Sequence, residues 1–301
     1  MFTQNLKVAA EDNQKRLDIF LTKELSDIGS RSFLKKLIDA GRVKLNKKVV
    51  KAHHKVAEGD EVFVEVPDEF LEPQDLEPQD IALDIFYEDE YLLVVNKPPG
   101  MLVHPAAGIY KGTLVNALLF HCAKLSEGSA PLRQGIVHRL DQETSGLMVV
   151  AKDNKTHSFL ANQFAEHTVK KCYWAIVDGK VEFDEGMIEA PLGRDRFHRE
   201  KKAVLFDDSA KYAMTTYRVR KRFARATLVE LFPKTGRTHQ LRVHMSYLRH
   251  PVLGDEKYGR HKNFSRLALH AKTLGFLHPK TKRFIEFTCR PPKEFLIYGK
   301  S

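Results

Sequence analysis

The spacing of apolar residues changes character along this chain, and each change marks an element. RLDIFLTKEL (16–25) carries its apolar residues at helical spacing, and Ser30 stands at an N-cap position ahead of a second helix in SFLKKLIDAG, stopped by Gly41. RVKLNKKVV (42–50) and DEVFVEV (60–66) alternate apolar and polar residues, as half-buried strands do. Farther along, LLVVNKPPGMLVHPA (92–106) begins as a strand and is cut at Pro98-Pro99-Gly100, because proline cannot donate to a ladder and glycine accepts positive φ. GLMVVAK (146–152) reads as a buried strand, GIV (135–137) as a strand end, and CYWAIV (172–177) as a strand in which alternation sends Trp174 to the core. Helical and strand periods mix, and they do not by themselves give a topology.

This pattern leaves VHRLDQETSG (137–146) as a loop between two rigid elements, with His138, Arg139, Asp141 and Glu143 on it. A carboxylate between apolar strands is costly unless a cation from elsewhere pairs with it. Such a pair serves chemistry or merely fixes the loop, and the loop alone does not choose. A second segment, LFPKTGRTHQLRVHMSYLRHPVLGDEKYG (231–259), repeats the arrangement: apolar strand, Thr-Gly-Arg turn, then Arg237, His239, Arg242 and His244. Arg242 and His244 either share one face of a strand or lie close together at a helix start. His239 and His244 are five apart, off the i, i+4 pairing of zinc enzymes, which argues against a metal. Ser145 and Ser246 lack the G-x-S-x-G elbow, and the chain has no G-x-G-x-x-G or phosphate loop, so no cofactor is indicated. Lys97 and His104 flank the Pro-Pro-Gly turn, where loop decoration competes with function.

Charge divides the chain. Residues 1–68 carry 13 Lys+Arg against 11 Asp+Glu, residues 69–90 none against 9, and residues 91–301 36 against 19. The basic excess of the last segment suits a polyanion such as a nucleic acid. LEPQDLEPQD (71–80) repeats five residues with a proline in each copy, which favours an extended linker. The expected division is a small domain at 1–68, an acidic linker at 69–82 and a larger domain at 83–301. No apolar run approaches the ~18 residues of a membrane span, and the polar start is no signal peptide, so a cytoplasmic, membrane-free protein is expected, by default a monomer. Cys122, Cys172 and Cys289 lack metal-type spacing and read as buried, reduced thiols.

Two resemblances join these pieces. SRSFLKKLIDAGRVKLNKKVVKAHHKVAEGDEVFVEV (30–66) resembles the small RNA-binding domain shared by a small-subunit ribosomal protein, tyrosyl-tRNA synthetases and several RNA-modifying enzymes. That resemblance implies RNA contacts from Arg31, Lys35, Lys36 and Arg42; Asn46-Lys47 departs from the usual Asn-Gly hairpin turn. HRLDQETSGLMVVAK, KKCYWAIVDG, APLGRD, TGRTHQLRVHMSYLRHPVLGDEKYG and LALHAKTLGFLHP, in that order, resemble the pseudouridine synthases of ribosomal and transfer RNA, over about residues 83–296. With the first module, the chain looks most like the branch acting on large-subunit ribosomal RNA. The resemblance implies an α+β fold, a mixed and mostly antiparallel sheet around a central cleft, and cofactor-free isomerisation of uridine through glycosidic bond cleavage and carbon-linked reattachment.

It also implies roles. Asp141 matches the essential aspartate, and Arg242 the arginine that pairs with it. Tyr173 matches the tyrosine against the target base, and Arg139 the residue that enters the RNA stack in place of the everted uridine. His138, Arg237 and His239 are expected at the RNA, with His244 hydrogen-bonding or touching RNA, and Glu143 solvated. Leu269 and Leu274 are expected in the core, with His270 and His278 structural. Rival readings are a tRNA uridine isomerase, a non-catalytic ribosome-assembly factor that kept the scaffold, and a base-releasing glycosidase, which would want two opposed carboxylates.

Overall fold

The computed structural model describes residues 2–25, 28, 31–67, 76–106, 109–128, 132–198, 200–259 and 264–298. Contacts divide the chain into two units, 1–75 and 76–301.

In the first unit, β1 (Phe2–Lys7), β2 (Val43–Leu45), β3 (Lys48–Val49) and β4 (Glu61–Val66) form an antiparallel sheet in the order β1-β4-β2-β3. The helices α1 (Leu17–Glu24) and α2 (Arg31–Asp39) supply Leu17, Phe20, Leu21, Leu34, Leu37 and Ile38 to a core shared with Val43, Val62 and Val64. Sequence periodicity does not mark β1, whose exposed polar residues alternate with half-buried ones along its length. The N-cap expected at Ser30 lies outside the described residues. Gly41 ends α2 as expected: at φ +72° it lets Gly41 N–H reach the Ile38 carbonyl and Arg42 N–H the Leu37 carbonyl. The Asn46-Lys47 turn keeps the two-residue hairpin, with both residues at positive φ (48° and 66°), the geometry of a type I′ turn.

The second unit is built on a nine-stranded sheet. Its strands are β5 (Ile85–Glu88), β6 (Leu92–Lys97), β7 (Ser145–Ala151), β8 (Lys170–Asp178), β9 (Glu185–Glu189), β12 (Met214–Arg222), β13 (Ala226–Pro233), β14 (Leu269–Leu277) and β15 (Phe284–Thr288). They run in the order β5-β6-β7-β14-β8-β13-β12-β9, with β15 on β14, and a separate hairpin joins β10 (Leu192–Arg194) to β11 (Lys202–Val204). Every pairing is antiparallel except β7 with β14. At that parallel seam Gly146, at φ +118°, lies so close to Ala271 that an added Cβ would sit 2.3 Å from its carbonyl oxygen. No side chain fits there, and the seam immediately follows the polar loop.

Among the described residues four helices complete the unit: α3 (Leu114–His121), α4 (Asn154–Ala165), α5 (Gln240–Tyr247) and α6 (Lys293–Ile297). Apolar clusters fill both faces of β6 and β7, which is why those strands read as unbroken hydrophobic runs. Leu269 and Leu274 are buried, and so are the three free cysteines. Trp174 corrects the alternation: it is half-buried, its Nε1–H donating to Glu230 at 3.1 Å and its ring lying 4.3 Å beneath the Lys272 ammonium. Residues 69–75 of the expected linker lie outside the described residues. The rest binds to the second unit, because the buried Asn116 of α3 donates to the Glu77 carbonyl (2.9 Å) and accepts Gln79 N–H on its own carbonyl (3.0 Å).

Candidate active site

The loop before β7 is fastened from two sides. Lys97, fully buried at the end of β6, donates to the Pro98, Met101 and Gln142 carbonyls at 2.7, 2.9 and 2.9 Å, which ties the Pro-Pro-Gly turn to the residue after Asp141. Burial pushes its pKa down to about 8, against the charges of Glu143 and Asp141. Lys97 is therefore the loop's anchor and no decoration. On the other side, His138 Nε2 accepts the Val149 N–H at 3.1 Å while its ring stacks on Phe164, 4.4 Å between centroids. Burial, helped by the Lys171 charge, pushes this imidazole down to about 3, so it is a neutral acceptor at physiological pH.

Asp141 projects from this frame into a cleft of about 530 Å³, on whose walls lie Arg139, Tyr173, Arg237, His239 and Arg242. The second polar segment folds as a helix here. His239, at φ +57°, precedes α5, and Arg242 lies one turn in. Arg242 Nη1 reaches Asp141 Oδ2 at 3.3 Å, with the two side chains 7% and 19% exposed. Its other donors are closer to a partner that sequence reasoning missed: Nε and Nη2 grip the two oxygens of buried Asp255 at 2.7 and 2.8 Å. Burial opposes the guanidinium's charge, but Asp255 and Asp141 outweigh it and raise its pKa. Asp255 also accepts the Lys257 and Tyr258 N–H groups, so the fork is fixed from below. The signal was available, since a carboxylate within the apolar VLGDEKYG run needs a buried cation as much as Asp141 does.

Tyr173, on β8, lines the cleft half-buried, with no hydrogen bond to its hydroxyl among the described residues. Burial and then the Asp141 charge raise its pKa, so it is a neutral phenol at working pH. His239 Nδ1 lies 2.8 Å from the Tyr258 hydroxyl, which also accepts the Lys202 N–H. Burial lowers the pKa of His239 although Asp141 favours its charge. Arg139 is exposed at the mouth, 3.4 Å from His104 Nε2, and exposed Arg237 bonds the Tyr212 carbonyl. Glu143 is exposed.

The other histidines serve the frame. His244 is buried between Thr215 and the Ala190 carbonyl, His270 between Ser145 and Cys289, and His278 binds Asp89 at 2.7 Å. In the first unit Arg31 binds Asp18 (2.8 Å) and Arg42 binds Glu65 (2.8 Å), whereas exposed Lys35 and Lys36 have no ion pair among the described residues.

The cleft thus presents one carboxylate beside a clamped guanidinium, an unpaired phenol and exposed cations at its mouth. Comparison with known proteins gives the family. Residues 91–247 match the model of the RNA pseudouridylate synthase family, and residues 15–62 match the S4 domain. An uncharacterized RNA pseudouridine synthase of Bacillus subtilis is 44% identical over 96% of this chain and 95% of its own length. The ribosomal large subunit pseudouridine synthase D of Zymomonas mobilis is 44% identical over 100% and 98%. Among solved structures, human RNA pseudouridylate synthase domain containing 1 superposes with a TM-score of 0.58 at 28% identity, over 73% of this chain and 86% of that one. The chain belongs to the RNA pseudouridylate synthase family, carries an S4 domain ahead of the synthase domain, and is an RNA-modifying isomerase.

Proposed function

We propose that this enzyme converts uridines of large-subunit ribosomal RNA to pseudouridine, with Asp141 as the catalytic carboxylate. The observation that carries the reading is the chain Asp141, Arg242, Asp255: a cleft-facing carboxylate held beside a guanidinium whose Nε and Nη2 are gripped by a buried carboxylate. At about 530 Å³ the cleft falls within the ~300–1,000 Å³ usual for a small-molecule site and has room for one everted nucleotide. Arg139 at the mouth fills the gap in the RNA stack, offsetting part of the few kcal/mol that base flipping costs. Tyr173 lies against the base, while Arg237 and His239 contact the flanking RNA. His138 acts there through the loop it holds. The glycosidic carbon–nitrogen bond breaks, the ring rejoins the sugar through carbon, and a proton leaves that carbon as one returns to nitrogen.

Lys35 and Lys36 are the S4 domain's cations for RNA, with Arg31 and Arg42 available by exchanging their carboxylates for phosphates. Ribosomal RNA is favoured over tRNA by the S4 domain and by the name of the Zymomonas relative. The enzyme works as a monomer in the cytoplasm; no helix among the described residues is long and apolar enough to cross a membrane.

The test incubates the protein with large-subunit ribosomal RNA and, separately, with tRNA, and maps carbon-linked uridines. Wild type is expected to form them in the ribosomal RNA. Asp141→Asn is expected to lose at least about a thousandfold in rate, the scale of removing a group that acts only in the transition state, while RNA affinity stays within about threefold. Released uracil, products only in tRNA, or full activity in Asp141→Asn would each sink part of the reading.

A further inference from the structure

The second unit has another cavity, of about 1270 Å³, at the opposite ends of the strands that carry the catalytic loop. β7 leaves the loop at Ser145 and arrives at Ala151, and Lys152 to Thr156 line the far cavity. Helix α4 connects the two places. Asn154 and Lys155 at its start line the far cavity, and Phe164 and Ala165 at its end line the catalytic cleft, about 16 Å away at ~1.5 Å per residue.

Three separate elements send cations to the far cavity: Lys124 from the segment after α3, Lys155 from α4, and Lys280 and Lys282 from the turn between β14 and β15. All four are exposed, and none has an ion pair among the described residues. Three carboxylates share the lining with them, and two of these are occupied, which leaves exposed Glu90 against the four lysines. Glu88 binds Lys152 (2.7 Å) and His121 (2.9 Å), and Asp153 caps α4 by accepting the Thr156 N–H (2.8 Å). Lys282 lies 3.6 Å from the centre of the Phe159 ring and Lys280 5.8 Å from that of Tyr91. A ring holds an ammonium in place without neutralising it, which leaves the charge for an anion on the other side.

We propose that this cavity is a second seat for the sugar-phosphate backbone of the same RNA, engaged by long substrates and out of reach of short ones. This rests on RNA being the substrate. An RNA seated over Asp141 is already held at one end of α4, so binding at the other end is intramolecular and strengthens the complex without new chemistry. Four surplus lysines from three elements suit repeated phosphates, which recognise charge without reading sequence. A free acidic peptide would gain nothing from the neighbouring cleft.

The test compares the full-length wild type with K124Q/K155Q/K280Q/K282Q, whose exposed positions leave the fold unburdened. Two probes are used: a long fragment of large-subunit ribosomal RNA, and a hairpin cut from it that is too short to span α4. For the long fragment, affinity is expected to fall at least about tenfold, and the slope of log affinity against log salt to shrink by about 3, at ~0.7–0.9 for each of the phosphates that the four lysines no longer neutralise. Hairpin affinity and turnover are expected to stay within about twofold. Unchanged affinity and slope on the long fragment would overturn the proposal. So would equal losses on both RNAs, which would show a general electrostatic field rather than a second seat. Both readouts are binding measurements, so they judge the far cavity even if wild type forms no pseudouridine in either RNA, a result that would count against the substrate reading alone.

Discussion

On one side of the catalytic loop, Lys97 is held by three neutral carbonyls; on the other, Arg242 is held by two carboxylates. Both cations are buried, and both feel the charge of Asp141. Burial wins at Lys97, whose pKa falls to about 8, and loses at Arg242, whose pKa rises. Dipoles are enough to place an ammonium as a tie between two turns, but they do not keep it firmly charged. A fork gripped by a fully buried carboxylate stays charged and directed, and presents its remaining donor to Asp141. One socket therefore builds the loop, and the other supplies the field in which its aspartate works.

The sharpest way to break this contrast is Asp255→Asn, which preserves shape and removes the grip. Breaking a buried pair by neutralising one partner costs about 3–5 kcal/mol, so a lowered midpoint in urea denaturation is expected. Because the guanidinium also loses its direction, kcat per folded molecule is expected to fall roughly a hundredfold, a loss of about 2.7 kcal/mol in transition-state stabilisation, with RNA affinity nearly unchanged. Lower stability with undiminished kcat would make Asp255 a purely structural partner and erase the difference between the sockets.

Lys97→Met tests the other side. It leaves three carbonyls short of a donor at about 1–3 kcal/mol each, partly offset by relief from burying an ammonium, and a net loss of about 2–3 kcal/mol is expected. The pH dependence separates the terms. Folded Lys97 gives up its proton near pH 8, and the unfolded side chain only near 10.5. Between those values the unfolded chain binds more protons, so this group makes stability rise with pH through that window. Subtracting the profile of Lys97→Met from that of wild type should isolate the rise. A flat difference would mean that Lys97 keeps its charge as firmly as Arg242 does.

Much of this machinery was legible as residue types in a pattern. The two polar segments, the break at Pro98-Pro99-Gly100 and the stop at Gly41 are local signals, and the structure has all of them. Pairing two segments a hundred residues apart came from the need of Asp141 for a cation, together with the resemblance that named Arg242. Asp255 escaped because one cation appeared to satisfy one carboxylate, whereas a guanidinium has donors for two. Lys97 escaped because a lysine after a strand is usually solvated, and only the folded loop supplies three carbonyls to one point. Trp174 fell outside the alternation because a charged neighbour on the next strand covers its ring better than the core would. The partners of Arg31 and Arg42 were equally hidden, since Asp18 and Glu65 lie far from them in sequence.

The smallest expected effect belongs to His138, which holds the loop with neither a cation nor an anion. Unfolded, its imidazole protonates near pH 6.5; folded, only near 3. Across that interval the unfolded chain binds the extra proton, so stability falls as the pH drops. In His138→Gln the amide can still accept the Val149 N–H but cannot titrate. At pH 7 the loss of stacking on Phe164 is expected to cost about 1 kcal/mol, within the range for aromatic pairs. At pH 5 the variant should equal or exceed wild type in melting temperature, so the two curves cross between these values. Parallel curves would show that the imidazole titrates alike in the folded and unfolded chain, and the loop would then not depend on a neutral ring.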